Sequence, residues 1–486
     1  MQFNSIPYII LFPLAALACL IIPKKLRYIW LLLVSFAFYY TGSEGSAALL
    51  LICIAITYAG AWLIKAADNS LFKKILLALT VGSQVAILFV FKYLDMTLGL
   101  LGSGLRFNLI LPLGISFYTF TAIGYLIDVY RGSVEPEKNP LRLALFLSFF
   151  LSIVSGPINR AKDLLPQFGF EREDAPSLDM AKTGMQKMLW GYFLKLAVAG
   201  RLAIVVDKVY SDAAAFSGLE IAFTALAYLF MLYCDFEGYS QIATGSGYIL
   251  GIRMRENFAQ PFFSLSTGEL WRRWHISLSS WFKDYLYIPL GGNRHGKFRK
   301  YLNTFIVLAI SGIWHGANLT FAIWGAINGA FIIMGQILLP VRDKAAGMLS
   351  DNLCKSQASK AAFDKVRGFL KRVGVYILTS YTFIWFANKD VKSAYLAVKG
   401  IFTRFSLRDA AGLTGLGLGT FNLCLVLAMA LFVLFCDRAA YRKKCDTPSL
   451  VKNVPAWLRW IIYYALLTAI LFSANLTGKE FIYSKM

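Results

Sequence analysis

Hydrophobic positions in this sequence come in long blocks, and short polar segments, mostly basic, separate them. A hydrocarbon core about 30 Å thick is crossed by about 20 helical residues, fewer where protein thins the bilayer. Blocks near that length fall at 6–22, 28–41, 47–64, 75–91, 109–130, 141–155, 185–206, 219–234, 302–316, 319–340, 373–387, 421–436 and 457–474. They predict an all-α polytopic membrane protein with about 11 to 13 transmembrane helices, the shorter blocks being candidates for re-entrant segments. Two further stretches, 239–252 and 410–420, are interrupted by glycine. Such backbone is tolerated at membrane depth only inside protein or along a cavity, so a bundle with an internal pathway is expected. No internal repeat is visible, which leaves an inverted-repeat transporter without support from symmetry. The chain reads as a single membrane-embedded domain, 1–486.

Composition agrees with the blocks. Hydrophobic residues make up 58% and charged residues 16%, against roughly 45–50% and 25% in soluble domains. Disordered, collagen-like and disulfide-stapled chains are excluded on the same figures. The seven cysteines form no CxxC pair and lie mostly in apolar runs, as small buried hydrophobes do.

Charge adds a direction. There are 49 Lys and Arg against 27 Asp and Glu, a formal net charge of +22. On a soluble protein this would suggest nucleic acid. Here the cations sit between apolar runs, where positive-inside topology and anionic lipid headgroups account for them, and no nucleic-acid partner is expected. The 341–372 segment holds eight Lys or Arg against three Asp, and 437–459 holds six against two. Both are expected in the cytoplasm. Met1 to Ser5 lacks the basic n-region of a signal peptide, and Lys24, Lys25 and Arg27 follow the first run. The N-terminus is therefore expected outside and uncleaved, although Ala16–Cys19 is a near miss to a lipoprotein site.

Residues 253–301 carry nine Lys or Arg, three acids and no spanning run. Ser266-Thr267-Gly268-Glu269 has the form of a capping box. Behind it Trp271, Trp274, His275, Leu278, Trp281, Phe282 and Tyr285 fall on one helical face, with Arg272, Arg273 and Lys283 largely elsewhere. One helix is expected, ending before Pro289 at Gly291-Gly292 and lying at the membrane interface. Its cations either anchor lipid headgroups or meet an anionic substrate.

The three histidines of the chain, His275, His295 and His315, fall within 41 residues. His295 lies in the polar loop Gly292–Lys297 and reads as solvated. His315 follows Tyr301 by 14 mostly apolar residues, placing it roughly 20 Å beyond the basic edge. An imidazole at that depth either packs helices together or faces a cavity with partners. Its flank, Trp314 through Gly316 to Asn318, supplies an aromatic wall, small residues and a polar partner. No GxSxG elbow, HExxH, Walker loop or GxGxxG is present, and Asp128, Asp235, Glu237 and Asp284 show no dyad or metal-ligand spacing. No metal site is expected. Asp235–Ser240 joins the 219–234 run to the glycine-broken stretch, as a polar gate or as a satisfied loop.

The motifs Trp271-Arg272-Arg273-Trp274-His275-Ile276-Ser277-Leu278-Ser279, Asp284 through Gly292, and Ser311-Gly312-Ile313-Trp314-His315-Gly316-Ala317 resemble the membrane-bound O-acyltransferase family. Within it they are most similar to the bacterial branch that acetylates exported polysaccharides such as alginate. Leu111–Phe120, Ser155-Gly156-Pro157 with Arg160–Asp163, and Tyr233–Phe236 with Gly238-Tyr239-Ser240 extend the likeness over about residues 1 to 483. Two departures stand out. The chain ends Phe481-Ile482-Tyr483-Ser484-Lys485-Met486 where many relatives end in Phe-Ile-Tyr-Phe-Gln-Phe, and it has Asn328-Gly329 where His-Gly is common.

The resemblance implies a helical bundle around a central tunnel in a bacterial cytoplasmic (inner) membrane, with 253–330 as its catalytic core segment. His315 matches the family's essential histidine and His275 its second polar residue. Acetyl-CoA is the implied acyl donor, taken from the cytoplasm as a substrate, with no resident cofactor. The acceptor side is an extracytoplasmic acetyltransferase or its polysaccharide. Trp271, Arg272, Arg273, Trp274, Lys283, Arg294, Lys297, Trp314 and Asn318 are the expected substrate-binding set. The competing expectations are a flippase for a lipid-linked polysaccharide precursor, a D-alanyl exporter for teichoic acid, and a structural subunit of an exopolysaccharide complex.

Overall fold

In the computed structural model, which describes residues 3, 5–42, 47–170 and 176–473, the regular structure is helical throughout. The C-terminal Phe481–Met486, where the sequence departs from the family pattern, lies outside the described residues. Seven helical stretches among the described residues are long and apolar enough to cross a membrane: Ala47–Ala66, Ser70–Lys92, Leu178–Ser211, Gly218–Ile249, Leu319–Ile337, Gly419–Lys443 and Ala456–Ser473. The other expected blocks form shorter helices or parts of mixed ones.

The N-terminal part runs α1 (Ile6–Ile21), α2 (Arg27–Tyr40), α3 (Ala47–Ala66), α4 (Ser70–Lys92) and α5 (Leu94–Leu100). Asn69 starts α4 by accepting the amides of Leu71 at 2.8 Å and Phe72 at 3.1 Å, two of the donors a helix start leaves open. Next come α6 (Ile115–Tyr130), α7 (Pro140–Ser148) and α8 (Ala161–Leu164). The 141–155 run is helical only to Ser148; 149–160 is irregular but buried, where non-helical backbone is tolerated at depth. Gly114 enters α6 at φ 69°, and a Cβ there would stand 2.0 Å from the Ile153 carbonyl oxygen, so only glycine fits.

The centre is a pair of long helices. α9 (Leu178–Tyr192) continues through a π-helical stretch, Phe193–Ala199, into α10 (Gly200–Ser211). Against it lies α11 (Gly218–Ile249), opened by a full Ser217/Glu220 capping box. The glycines of 239–252 do not break this helix, contrary to the expectation above. A Cβ on Gly191 would stand 2.6 Å from the Gly238 carbonyl oxygen, and one on Gly184 would stand 2.5 Å from that of Gly245. Their spacing of seven residues on both helices makes one contact stripe, so they serve close backbone approach. Asp235–Ser240 is accordingly not a loop but part of α11, with Asp235 paired to Lys195 of the π-helical stretch.

The expected single helix over 267–287 is two. α12 (Thr267–Arg273) stops at Trp274, and α13 (Ile276–Phe282) begins after His275, extending as π-helix over Lys283–Tyr287. Ser266 caps α12 by accepting the Glu269 amide at 3.1 Å, while the Glu269 carboxylate accepts from Leu265. The aromatic face is turned inward, not toward an interface. Trp281 stacks on Phe120 at 4.0 Å and donates to its carbonyl at 2.9 Å, and Tyr285 donates to Asp128 at 2.8 Å.

α14 (Gly296–His315) and α15 (Leu319–Ile337) form a tight pair through Gly312 and Gly325. The basic segment 341–372 is helical: α16 (Leu339–Leu353) turns into α17 (Gln357–Ala387), and Asp343–Arg367 and Asp351–Lys360 tie the two together. α18 (Val391–Thr403), a 3₁₀ stretch over Leu407–Gly415, α19 (Gly419–Lys443) and α20 (Ala456–Ser473) complete the chain. α6 and α11 are buried along most of their length, whereas α1, α4, α19 and α20 expose apolar side chains such as Leu14, Leu79, Leu431 and Leu471.

Candidate functional site

His315 is the last residue of α14, and Gly316 leaves the helix in extended conformation. A helix end carries unsatisfied carbonyls and partial negative charge. Two side chains from the end of α4 region meet them here. Lys92 donates to the Trp314 carbonyl at 2.7 Å and to Ser116 at 2.9 Å, and the Tyr93 hydroxyl donates to the Ile313 carbonyl at 3.1 Å. The imidazole is 2% exposed, edge-on to Trp314, Trp324 and Phe386 with ring centroids 5.0–5.3 Å away. Nothing in the sequence pattern singled out Lys92, because it follows an apolar run like any helix-terminal lysine; its partners lie 24 and 222 residues away.

His275 sits between α12 and α13 with φ 46°, a left-handed conformation for a non-glycine residue, which costs of order 1–3 kcal/mol and persists only where its surroundings enforce it. It is 2% exposed and meets Phe236 of α11 edge-on at 4.7 Å. The Trp314 ring lies 6.4 Å from it and 5.0 Å from His315, between α6 and the two imidazoles.

Both histidines line one cavity of about 200 Å³. Trp271, Trp274 and Trp324 wall it, and Lys283, Tyr287 and Thr304 lie along it toward the 288–297 loop. Thr304 precedes His315 by 11 residues of α14, or about 16 Å along the helix.

The structure therefore gathers Trp271, Trp274, His275, Lys283 and His315 of the expected set around one space. Trp314 packs beside it, between His275 and Lys92. Arg272, Arg294 and Lys297 are exposed and outside the lining, Arg294 on the loop with His295 and Lys297 in the first turn of α14. Arg273 is occupied elsewhere: it bonds Glu269 at 3.0 Å and the Ala259 carbonyl at 3.1 Å and covers the Tyr441 ring. Asn318 caps α15 through the Thr320 amide at 3.0 Å and donates to the Lys389 carbonyl, so its role is to turn the chain after His315. Asn328 is buried and donates to the Trp324 carbonyl at 2.8 Å.

Two buried imidazoles on one cavity, with no paired carboxylates beside them, fit acid–base chemistry on an acyl group. Comparison with known proteins decides the class. The sequence profile of the membrane-bound O-acyltransferase family matches residues 137–351, which include both histidines and the cavity lining. A probable alginate O-acetylase of Pseudomonas putida is 36% identical over 385 residues, covering 76% of this chain and 74% of that protein. This chain belongs to the membrane-bound O-acyltransferase family. A peptidoglycan O-acetyltransferase of Helicobacter pylori is 31% identical over 77% of this chain and 73% of its own length. A teichoic acid D-alanyltransferase of Bacillus subtilis is 30% identical over 46% of this chain. The protein is thus an acyltransferase of the membrane-bound O-acyltransferase family, and its long apolar helices make it a multi-pass membrane protein.

Proposed function

We propose that this enzyme takes acetyl groups from cytoplasmic acetyl-CoA and passes them across a bacterial inner membrane for O-acetylation of an exported polysaccharide or cell-wall glycan. The observation that carries the reading is the shared cavity of His275 and His315, one end of it beside the basic 288–301 segment. A basic rim suits a donor carrying several phosphates. The depth of His315 suits a long thioester arm whose nucleotide stays outside. Lys283, which lines the cavity, and the exposed Arg272, Arg294 and Lys297 are the cations assigned to the phosphates; Arg273 is committed to Glu269.

His315 acts as general base: it takes the proton of the acceptor hydroxyl as that oxygen attacks the thioester carbonyl, and as the C–S bond breaks the CoA sulfur leaves and takes that proton from the His315 imidazolium. His275 donates to the carbonyl oxygen as negative charge develops there. Trp271, Trp274 and Trp324 exclude hydrolytic water. The acceptor is an extracytoplasmic acetyltransferase or the glycan itself. The two relatives named above that cover most of the chain bear O-acetylase and O-acetyltransferase names, and this favours acetyl over D-alanyl as the group moved.

The test is transfer of labelled acetyl from acetyl-CoA to glycan in inverted membrane vesicles of the producing cells. The reading expects label on the glycan only when acetyl-CoA is supplied outside these vesicles, and its loss in His315→Ala. Label that persists in His315→Ala at more than about a tenth of the parent rate refutes the general base. Absence of acetyl transfer with D-alanyl transfer intact refutes the acetyl assignment.

A further inference from the structure

We propose that Asn257 is a positioning residue for the reaction: it holds His275 in the left-handed turn that brings the imidazole to the cavity. The inference rests on the role given to His275 above. Asn257 is not among the residues that line the cavity, but its bonds surround position 275. Its carbonyl accepts the Ile276 amide at 2.8 Å, its Oδ1 accepts the Ser277 hydroxyl at 2.6 Å, and its Nδ2 donates to Ser240 of α11 at 3.0 Å. Asn257 and Ser240 are both 0% exposed.

Each of these bonds has a consequence for the histidine. Helix α13 starts with open amides, and the first is taken by Asn257 instead of by a preceding turn, so α12 cannot run on into α13. On the other side of the break, the Ala259 amide bonds the Arg273 carbonyl at 3.0 Å. The 257–259 segment is thus laced to both sides of His275. Ser240 then fixes this segment to α11, one turn beyond Phe236, whose ring meets the imidazole edge-on. Main chain and ring of His275 are referenced to the same helix. A strained conformation needs such over-determination. Without the amide side chain the main-chain bonds to Ile276 and Arg273 remain, but the 257–259 segment loses its ties to Ser240 of α11 and to Ser277, so position 275 drifts from its present bearing.

The experiment uses the full chain in the inverted vesicles described above, measuring rate against acetyl-CoA concentration. Asn257→Leu is expected to lower kcat by about 10²-fold with little change in KM, the size of effect a displacement near 1 Å produces. Asn257→Asp keeps an acceptor for Ser277 and is expected to recover most of that loss. The His275→Ala, Asn257→Leu double variant is expected to be no slower than His275→Ala, because Asn257 acts only through the imidazole. Ser277→Ala removes a single oxygen and carries the same test should Asn257→Leu fail to accumulate. Multiplying effects in the double variant, or full kcat in both Asn257→Leu and Ser277→Ala while His275→Ala is slow, overturns the positioning role alone. Full activity in His275→Ala overturns the role of His275 itself and this proposal with it.

Discussion

At the scale of single residues, the three histidines separate by environment. His315 ends an apolar helix inside a ring of aromatic groups, His275 shares its cavity, and His295 is exposed on a loop. Loss of acid–base catalysis typically costs about 10²–10⁴-fold. His315→Ala is therefore expected to remove acetyl transfer at that scale, His275→Ala to be severe but to keep a residue of activity through a substituting water, and His295→Ala to be near the parent. Acetyl on exported glycan, normalised to protein in the membrane, gives the ranking, and any other order refutes the assignment. The depth of His315 was legible because 14 apolar residues behind Tyr301 are a ruler. The bend at His275 was not, because Trp271 to Tyr285 keep perfect helical spacing and the groups that break the helix, Asn257 and Ser240, are distant in the sequence.

At the scale of helices, the same glycines that suggested interruption prove to be points of closest packing. The local pattern of α11 is silent about what faces it, so Gly245 reads as a breaker until Gly184 is placed opposite, with Gly238 and Gly191 continuing the same stripe. Gly191→Val is expected to force the backbones apart and cost at least the 1–3 kcal/mol typical of overpacking, seen as a lowered thermal midpoint in detergent. Gly82→Ala on α4, where a Cβ meets nothing within 4 Å, is the matched control. It is expected to be neutral or stabilising by up to about 1 kcal/mol. Lys92 belongs to this scale as well, since its ammonium joins α4, α6 and the end of α14. Lys92→Met is expected to leave the Trp314 carbonyl without its cation and to cost about 1.5–3 kcal/mol, the range for a bond to a charged group. Urea or thermal unfolding measures it, and an unchanged midpoint refutes it.

At the scale of the whole molecule, the blocks of hydrophobicity foretold an all-helical bundle, and the seven long helices carry it. What the blocks left open was which of the shorter runs stay helical, because burial in protein and not residue type decides it: 149–160 is apolar enough for a helix yet runs irregularly inside. Sidedness follows from the cations. Single cysteines at 297, 360 and 443, in a background with Cys424, Cys436 and Cys445 replaced, are expected to resist an impermeant label in intact cells and to react after lysis. A cavity in a membrane protein also has an electrical side. About 100 mV across the membrane stores ~2.3 kcal/mol per charge, so a water-filled passage would discharge it. The Trp314 ring, packed at 5.2–5.5 Å against Phe117 and Phe120 and flanked by the imidazoles, stands between the cavity and Lys92 on the other side. On the proposed function, that packing gives Trp314 the part of an insulator, by which a cell would keep its membrane energised while a substrate pocket reaches into the same protein.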